Sequence, residues 1–211
     1  KEKSEMLLEE FDAIDGIINP QDLHQPIEGF PKVVISCFSR VTFARLLENY
    51  DHEVIARTSM ANFEVLVYGI TIGDQQIAAF NTPVGAASCV GIIEDLIQFG
   101  MEKLVLFGTV GFWTKILRRP PSSFRQLPFE TRGLVTTIFR LVMNGSKQET
   151  LPLFQAFLES HKVSYQSGKV WTTDAPYRET IDKMKRRKEA GAICVDMECS
   201  AVAALAAYRG F

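Results

Sequence analysis

Gly191–Arg209, GAICVDMECSAVAALAAYR, changes character half-way along, and that change decides the fold class. Ala192, Ile193, Cys194 and Val195 follow Gly191 as four apolar residues without helical period, which predicts a buried strand. Beyond Glu198, the small and apolar side chains of Cys199, Val202, Ala203, Leu205, Ala206 and Ala207 predict a closely packed helix, because alanine loses no side-chain entropy and keeps neighbours close. Asp196 and Glu198 fall at the join, where α/β folds place ligand-binding groups. The residues alone allow two roles: Asp196 or Ser200 caps the helix with Glu198 favoured in its first turn, or the acidic couplet holds a ligand.

Outward from this junction, 211 residues with 46% hydrophobic content can bury one substantial core. A net charge of −2 predicts no general affinity for nucleic acid or membrane surfaces. No apolar run reaches the roughly 20 residues of a membrane span, and no signal peptide is visible. Cys37, Cys89, Cys194 and Cys199 sit in apolar segments, which predicts free thiols in a reducing cytoplasm, with neither disulfides nor a metal site. The sequence opens on Lys1 rather than Met and reads as a fragment.

In chain order, Ser4–Phe11 has helical spacing of Met6, Leu7, Leu8 and Phe11, and the prolines Pro20, Pro26 and Pro31 predict an extended arm, so residues 1–29 precede one domain over 30–211. Lys32–Ser36 reads as the first core strand, and Ser39 as the cap of a helix Val41–Leu47. Glu53–Arg57, Phe63–Ile70 and Gln76–Asn81 read as strands, with a hairpin turn at Gly73-Asp74. Small residues from Gly85 to Ser88 lead into a helix Cys89–Phe99 that Gly100 ends. They leave amides open to an anion or sugar, or simply permit close packing. Lys103–Phe107 completes a strand–helix–strand crossover of the right-handed kind. Further on come a helix Leu151–Ser160, a strand Gly168–Thr173 and a helix Pro176–Lys188. The basic run Lys183–Lys188 in that helix is most simply a solvated face.

Val195-Asp196-Met197-Glu198 followed by Ala201 and Ala204, together with Gly168–Thr180 (GKVWTTDAPYRET), resembles two signatures of the nucleoside phosphorylase and nucleosidase family, which includes uridine phosphorylase and the hexameric purine nucleoside phosphorylases. The resemblance covers most of Phe30–Phe211. It implies an α/β fold of three layers, with a central mixed, partly barrel-like sheet flanked by helices. It also implies cleavage of the N-glycosidic bond of a purine or pyrimidine nucleoside. Glu198 would then accept the ribose hydroxyls with Met197 beneath the sugar; Tyr177, Arg178 and Trp171 would face the base; Arg40, Thr109, Gly85 and Ser88 would hold phosphate. The departures are specific. Ser36-Cys37-Phe38-Ser39-Arg40 keeps only the arginine of a G-D-P-x-R turn, Leu106 stands where an arginine is usual, and Pro176 replaces a base-stacking aromatic. Tyr177 and Arg178 equally fit the start of a helix, and Ser39 a plain cap.

On this resemblance the reaction is phosphorolysis, giving free base and ribose 1-phosphate with inorganic phosphate as co-substrate and no cofactor. The alternatives are hydrolysis of the methylthioadenosine/S-adenosylhomocysteine nucleosidase kind, and an inactive truncated member that only binds nucleosides. The aspartate that protonates purine bases in the family is expected beyond Phe211, and a homo-oligomer, a dimer or a trimer of dimers, is implied. Val110–Met143 matches nothing in the family: six of its seven charged residues are basic, and Phe, Trp and Leu are mixed in without period. A family-like Val-Leu-Asp-Lys-Asp-Ile, written GTT TTG GAC AAA GAT ATT G, gives Phe-Trp-Thr-Lys-Ile-Leu when read one base later, which is Phe112–Leu117. A family-like R-D-E-G-T-S string gives Glu130–Met143 by the same shift. Residues from about 110 to 143 are therefore expected to be out of frame.

Overall fold

The computed structural model describes residues 14, 16–112, 135–143 and 147–211, and of 112, 135–143 and 147–151 the backbone only. The expected Ser4–Phe11 helix and the greater part of the suspected out-of-frame stretch lie outside these residues. At the centre of the sheet is Val33–Cys37 (β1), flanked in parallel by Gln75–Asn81 (β4) and Lys103–Phe112 (β5). His52–Met60 (β2) and Phe63–Ile72 (β3) add an antiparallel wing beyond β4. The turn from β3 to β4 passes through Gly73 at φ +60°, which realises the expected hairpin. Val135–Met143 (β6) runs antiparallel along β5, and Lys169–Thr172 (β7) pairs in parallel with Ala192–Asp196 (β8). The full order is β2-β3-β4-β1-β5-β8-β7, with β6 paired to β5 beside this path.

Helices cover both faces, because alternate residues of the central strands point opposite ways. On one face Val34, Ala78, Phe80 and Leu104 meet Ile92, Ile93 and Leu96 of Ala86–Phe99 (α3), and Val202 and Leu205 of Cys199–Arg209 (α6). Each fully buried Ile, Leu or Phe here contributes about 1.5–3 kcal/mol relative to exposure. On the other face Cys37, Ile70 and Ala79 meet Phe43 of Arg40–Glu48 (α2). Three layers result, as the resemblance implied.

Some elements differ from the sequence reading. The arm contains a short helix, Pro20–Leu23 (α1), because Asn19 and Asp22 form a capping box around a proline that suits the first helical position. Lys147–Ser160 (α4) starts earlier than expected and carries Pro152 inside it. The expected helix Pro176–Lys188 is two pieces. Pro176–Arg178 is a single 3-10 turn, and Ile181–Glu189 (α5) begins afresh where Thr180 accepts the Lys183 amide at 3.4 Å. Finally, β5 does not stop at Phe107 but runs to Phe112.

That longer β5 shapes the molecule. A strand has two edges, and β6 takes one of them from Lys103 to Gly111. On the other edge β1 pairs with Lys103–Phe107, and β8, running antiparallel to β5, pairs with Gly111 and Phe112. Between the end of β1 and the end of β8, Gly108–Val110 has no strand partner on that edge among the described residues. Gly108 is required there, since a Cβ would come within 2.6 Å of the Phe38 ring.

Candidate functional site

The β8–α6 junction follows directly on the strand that closes this unpaired edge. Val195 opposes Gly111, the first paired residue beyond Gly108–Val110, so β8 hands over to α6 at that end of the gap. Helix α6 needs acceptors for its first amides, and Asp196 supplies one: its Oδ2 accepts the Cys199 N–H at 2.8 Å. Its Oδ1 accepts the Thr172 hydroxyl at 2.7 Å, and Thr172 Oγ1 in turn accepts the Ser200 N–H at 2.9 Å. Asp196 rather than Ser200 is thus the cap, with Thr172 of β7 as its partner.

With the amides satisfied, Glu198 does no capping although it occupies the cap position. It turns inward, is 6% exposed, and its Oε1 accepts the Gly85 N–H at 2.7 Å, while Oε2 accepts the Met197 N–H at 3.3 Å. Burial raises the pKa of this carboxyl above the usual value, and the Gly85 and Met197 amides pull it back. The Asp196 and Asp174 charges push it further up. Gly85, the residue before α3, has φ +101°, a conformation that favours glycine, and no atom lies within 4 Å of where a Cβ would stand. The carboxylate therefore sits under a floor of small backbone beside the N-terminus of a 14-residue helix.

The structure brings some of the expected residues together and separates others. Glu198, half-buried Met197, Gly85 and half-buried Ser88 surround the α3 N-terminus, and exposed Thr109 lies on the unpaired edge of β5. Tyr177, almost wholly exposed, and Arg178 sit on the 3-10 turn that follows Asp174. Trp171 is instead packed against Ala192 and Val195, with the Arg187 guanidinium 5.9 Å above its ring. Arg40 lines a separate cavity of about 300 Å³ between α2 and the β3–β4 wing, beside Phe43, Tyr68 and Asn81. A larger cavity, about 540 Å³, lies around Phe30, Asp51–Ile55 and Gly69; neither of the two includes Glu198. Leu106 is buried in the core. Cys37, Cys89 and Cys194, all buried, and half-buried Cys199 form no disulfide among the described residues; burial pushes Cys37 and Cys194 up to about 11. The sequence reading missed the Thr172–Asp196 pairing and the charge of Asp174, although both residues lie within the quoted motifs. It also missed a buried pair of hydroxyls, Ser36 and Thr82, for which only their place at strand ends gave a signal.

Residues 139–211, which hold β7, β8 and α6, match the family model of the phosphorylase superfamily. Over these residues the chain is similar to the phosphorylase superfamily. The fold of the whole described chain is that of solved phosphorylases and nucleosidases. Uridine phosphorylase from Vibrio fischeri ES114 superposes with a TM-score of 0.65 at 20% identity, over 94% of this chain and 82% of that one. Purine nucleoside phosphorylase from Toxoplasma gondii, in complex with immucillin-H, gives 0.64 at 17%, over 94% and 80%. The 5'-methylthioadenosine/S-adenosyl homocysteine nucleosidase of Helicobacter pylori gives 0.61 at 16%, over 87% and 82%. No curated protein matches the sequence. Among the described residues, no helix is long and apolar enough to cross a membrane, and no group of three or more His, Cys, Asp or Glu is placed to hold a metal ion.

Proposed function

We propose that the protein binds a nucleoside at the β8–α6 junction and cleaves its N-glycosidic bond with inorganic phosphate, releasing free base and ribose 1-phosphate. The observation that carries this reading is the Glu198 carboxylate, buried, relieved of capping, and held by the Gly85 amide across the sheet ends. As the bond to the base lengthens, the ribose gathers positive charge and the base negative charge. A fixed carboxylate in a low-dielectric setting is worth more there than in water. Glu198 accepts the sugar hydroxyls, with Met197 packed beneath the ring. A phosphate oxygen forms the new bond to C1′ while the electron pair of the broken bond leaves with the base, which takes up a proton. Thr109, the stretch of β5 edge left unpaired among the described residues and the amides from Ala86 to Ser88 suit an anion, because the α3 N-terminus directs its dipole at that place. Tyr177 and Arg178 stand on the base side. The protein acts in the cytoplasm as a homo-oligomer, a dimer or a trimer of dimers.

A second reading, hydrolysis by water, is favoured by one feature: Leu106 is buried where the phosphorylases usually hold an arginine, and Arg40 lies in a cavity of its own. Base release from uridine and from adenosine, measured with and without phosphate, decides between them. Phosphate-dependent release is the expected result, and equal release without phosphate makes the protein a nucleosidase. Nucleoside binding without release makes it a non-catalytic binder.

A further inference from the structure

Thr82, three residues before the Gly85 amide that meets Glu198, and Ser36 carry two buried hydroxyls with no role in the reaction just described. Ser36, near the end of β1, is 1% exposed, and Thr82, the residue after β4, is 2% exposed. The Ser36 hydroxyl donates to the Phe80 carbonyl at 2.8 Å. Its only proton is thereby committed, so in the direct contact between the two hydroxyls Thr82 is the donor and Ser36 the acceptor. Thr82 is also tied through its backbone, whose N–H donates to the Cys37 carbonyl at 3.0 Å and so carries the β1–β4 pairing one residue past the strand. The Asn81 amide donates to the same carbonyl at 2.7 Å.

From this anchor to the Gly85 amide there are only two residues, Pro83 and Val84, and the proline ring holds one of their backbone angles fixed. A displacement at Thr82 is therefore passed along a stiff link to the N–H that meets Glu198. We propose that the Ser36–Thr82 hydroxyl pair is a positioning device for the Glu198 site: it fixes where the Gly85 amide points, and through that amide how the carboxylate is presented to a ligand. The inference deepens the proposed function and rests on it for the nature of the ligand, but not for the coupling itself.

Thr82→Val keeps shape and volume and leaves Ser36 bonded to Phe80, so it orphans no buried donor. A methyl group cannot approach Ser36 Oγ as closely as a hydroxyl does, so the strand ends part and the Gly85 amide is displaced. The readout is the carboxyl-carbon NMR titration of Glu198 in the full chain, assigned with Glu198→Gln. The Gly85 amide opposes the effects of burial and of the Asp196 and Asp174 charges, so its displacement shifts the titration midpoint upward in Thr82→Val, and Thr82→Ser restores it. Affinity for uridine or adenosine falls about tenfold in Thr82→Val, the size of one net hydrogen bond. Ser36→Ala, which removes the acceptor without adding bulk, serves if Thr82→Val does not fold. An unchanged Glu198 titration in a folded variant, whatever its melting temperature, overturns the proposal. A shifted titration in a protein that binds no nucleoside supports the coupling and refutes the proposed function instead.

Discussion

At the end of β1, Ser39 caps α2 by accepting the Thr42 N–H at 3.2 Å; at the end of β8, Asp196 caps α6 by accepting the Cys199 N–H at 2.8 Å. The two turns solve the same local problem, the unpaired amides at the start of a helix. They differ in what is left over. Among the described residues, the Ser39 side chain bonds only within its own helix turn, to the amide and hydroxyl of Thr42. At the second turn the cap stands two residues before the N-cap position, so Glu198 is free to bond Gly85, 113 residues away in sequence. A carboxylate that is not needed to cap its helix, yet is buried against a distant amide, is held there at the cost of desolvation. The local turn holds a helix; the long-range one ties the start of α6 to the residue before α3.

Removing the long-range contact should have the largest effect. Glu198→Ala is expected to lower uridine or adenosine affinity and base release by about 100-fold or more, the scale of losing one preorganised polar partner of a developing charge. Isothermal calorimetry and a base-release assay read both, and unchanged affinity would refute the role given to Glu198. The same carboxyl predicts a pH dependence. Its folded pKa is raised, so the folded state holds the proton more tightly than the unfolded one near the ordinary value of 4.5. The stability that this contributes is complete below that value and is lost as pH rises through the raised folded value. Urea midpoints of the wild type relative to Glu198→Gln should therefore fall as pH increases over this window, and a flat difference would show that burial does not govern Glu198.

Next in size is the cap itself. Asp196→Ala deprives α6 of its cap and Thr172 of its acceptor, and should cost about 2 kcal/mol in denaturant unfolding. It should also weaken nucleoside binding, because Glu198 is then the nearest acceptor for the freed Cys199 amide and is drawn from Gly85. Loss of stability with no loss of binding would mean that the two carboxylates act independently.

How much of this was legible depends on range. The β8 strand, α6 and the acidic couplet could be read from GAICVDMECSAVAALAAYR because period and composition are local properties. The Ser39 cap and the Gly73 turn were readable for the same reason. Which carboxylate caps and which faces the site was not, since Asp196 and Glu198 both suit a helix start and only the Thr172 hydroxyl on β7 and the Gly85 amide before α3 separate them. Trp171 shows a second limit. Its motif suggested a place by the base, and its packing with Ala192 and Val195 depends on the face of β7 it takes, which the motif does not state. The fork in β5 was equally invisible, because two strands sharing one edge leave no mark on the sequence of the third.

The smallest effect tests the local side of the comparison. Ser39→Ala removes one exposed cap and should cost about 1 kcal/mol, and Ser39→Gly only a few tenths, because glycine leaves the helix start open to water. Neither should alter the Glu198 titration or nucleoside affinity, since among the described residues the Ser39 side chain hydrogen-bonds only Thr42 and Cys37 takes only its carbonyl. If Ser39→Ala weakened binding as strongly as Asp196→Ala, the β1–α2 turn would have to belong to the ligand site. Arg40, the next residue, would then reach that site from the cavity it now lines, and the distinction between a local and a long-range turn would fail.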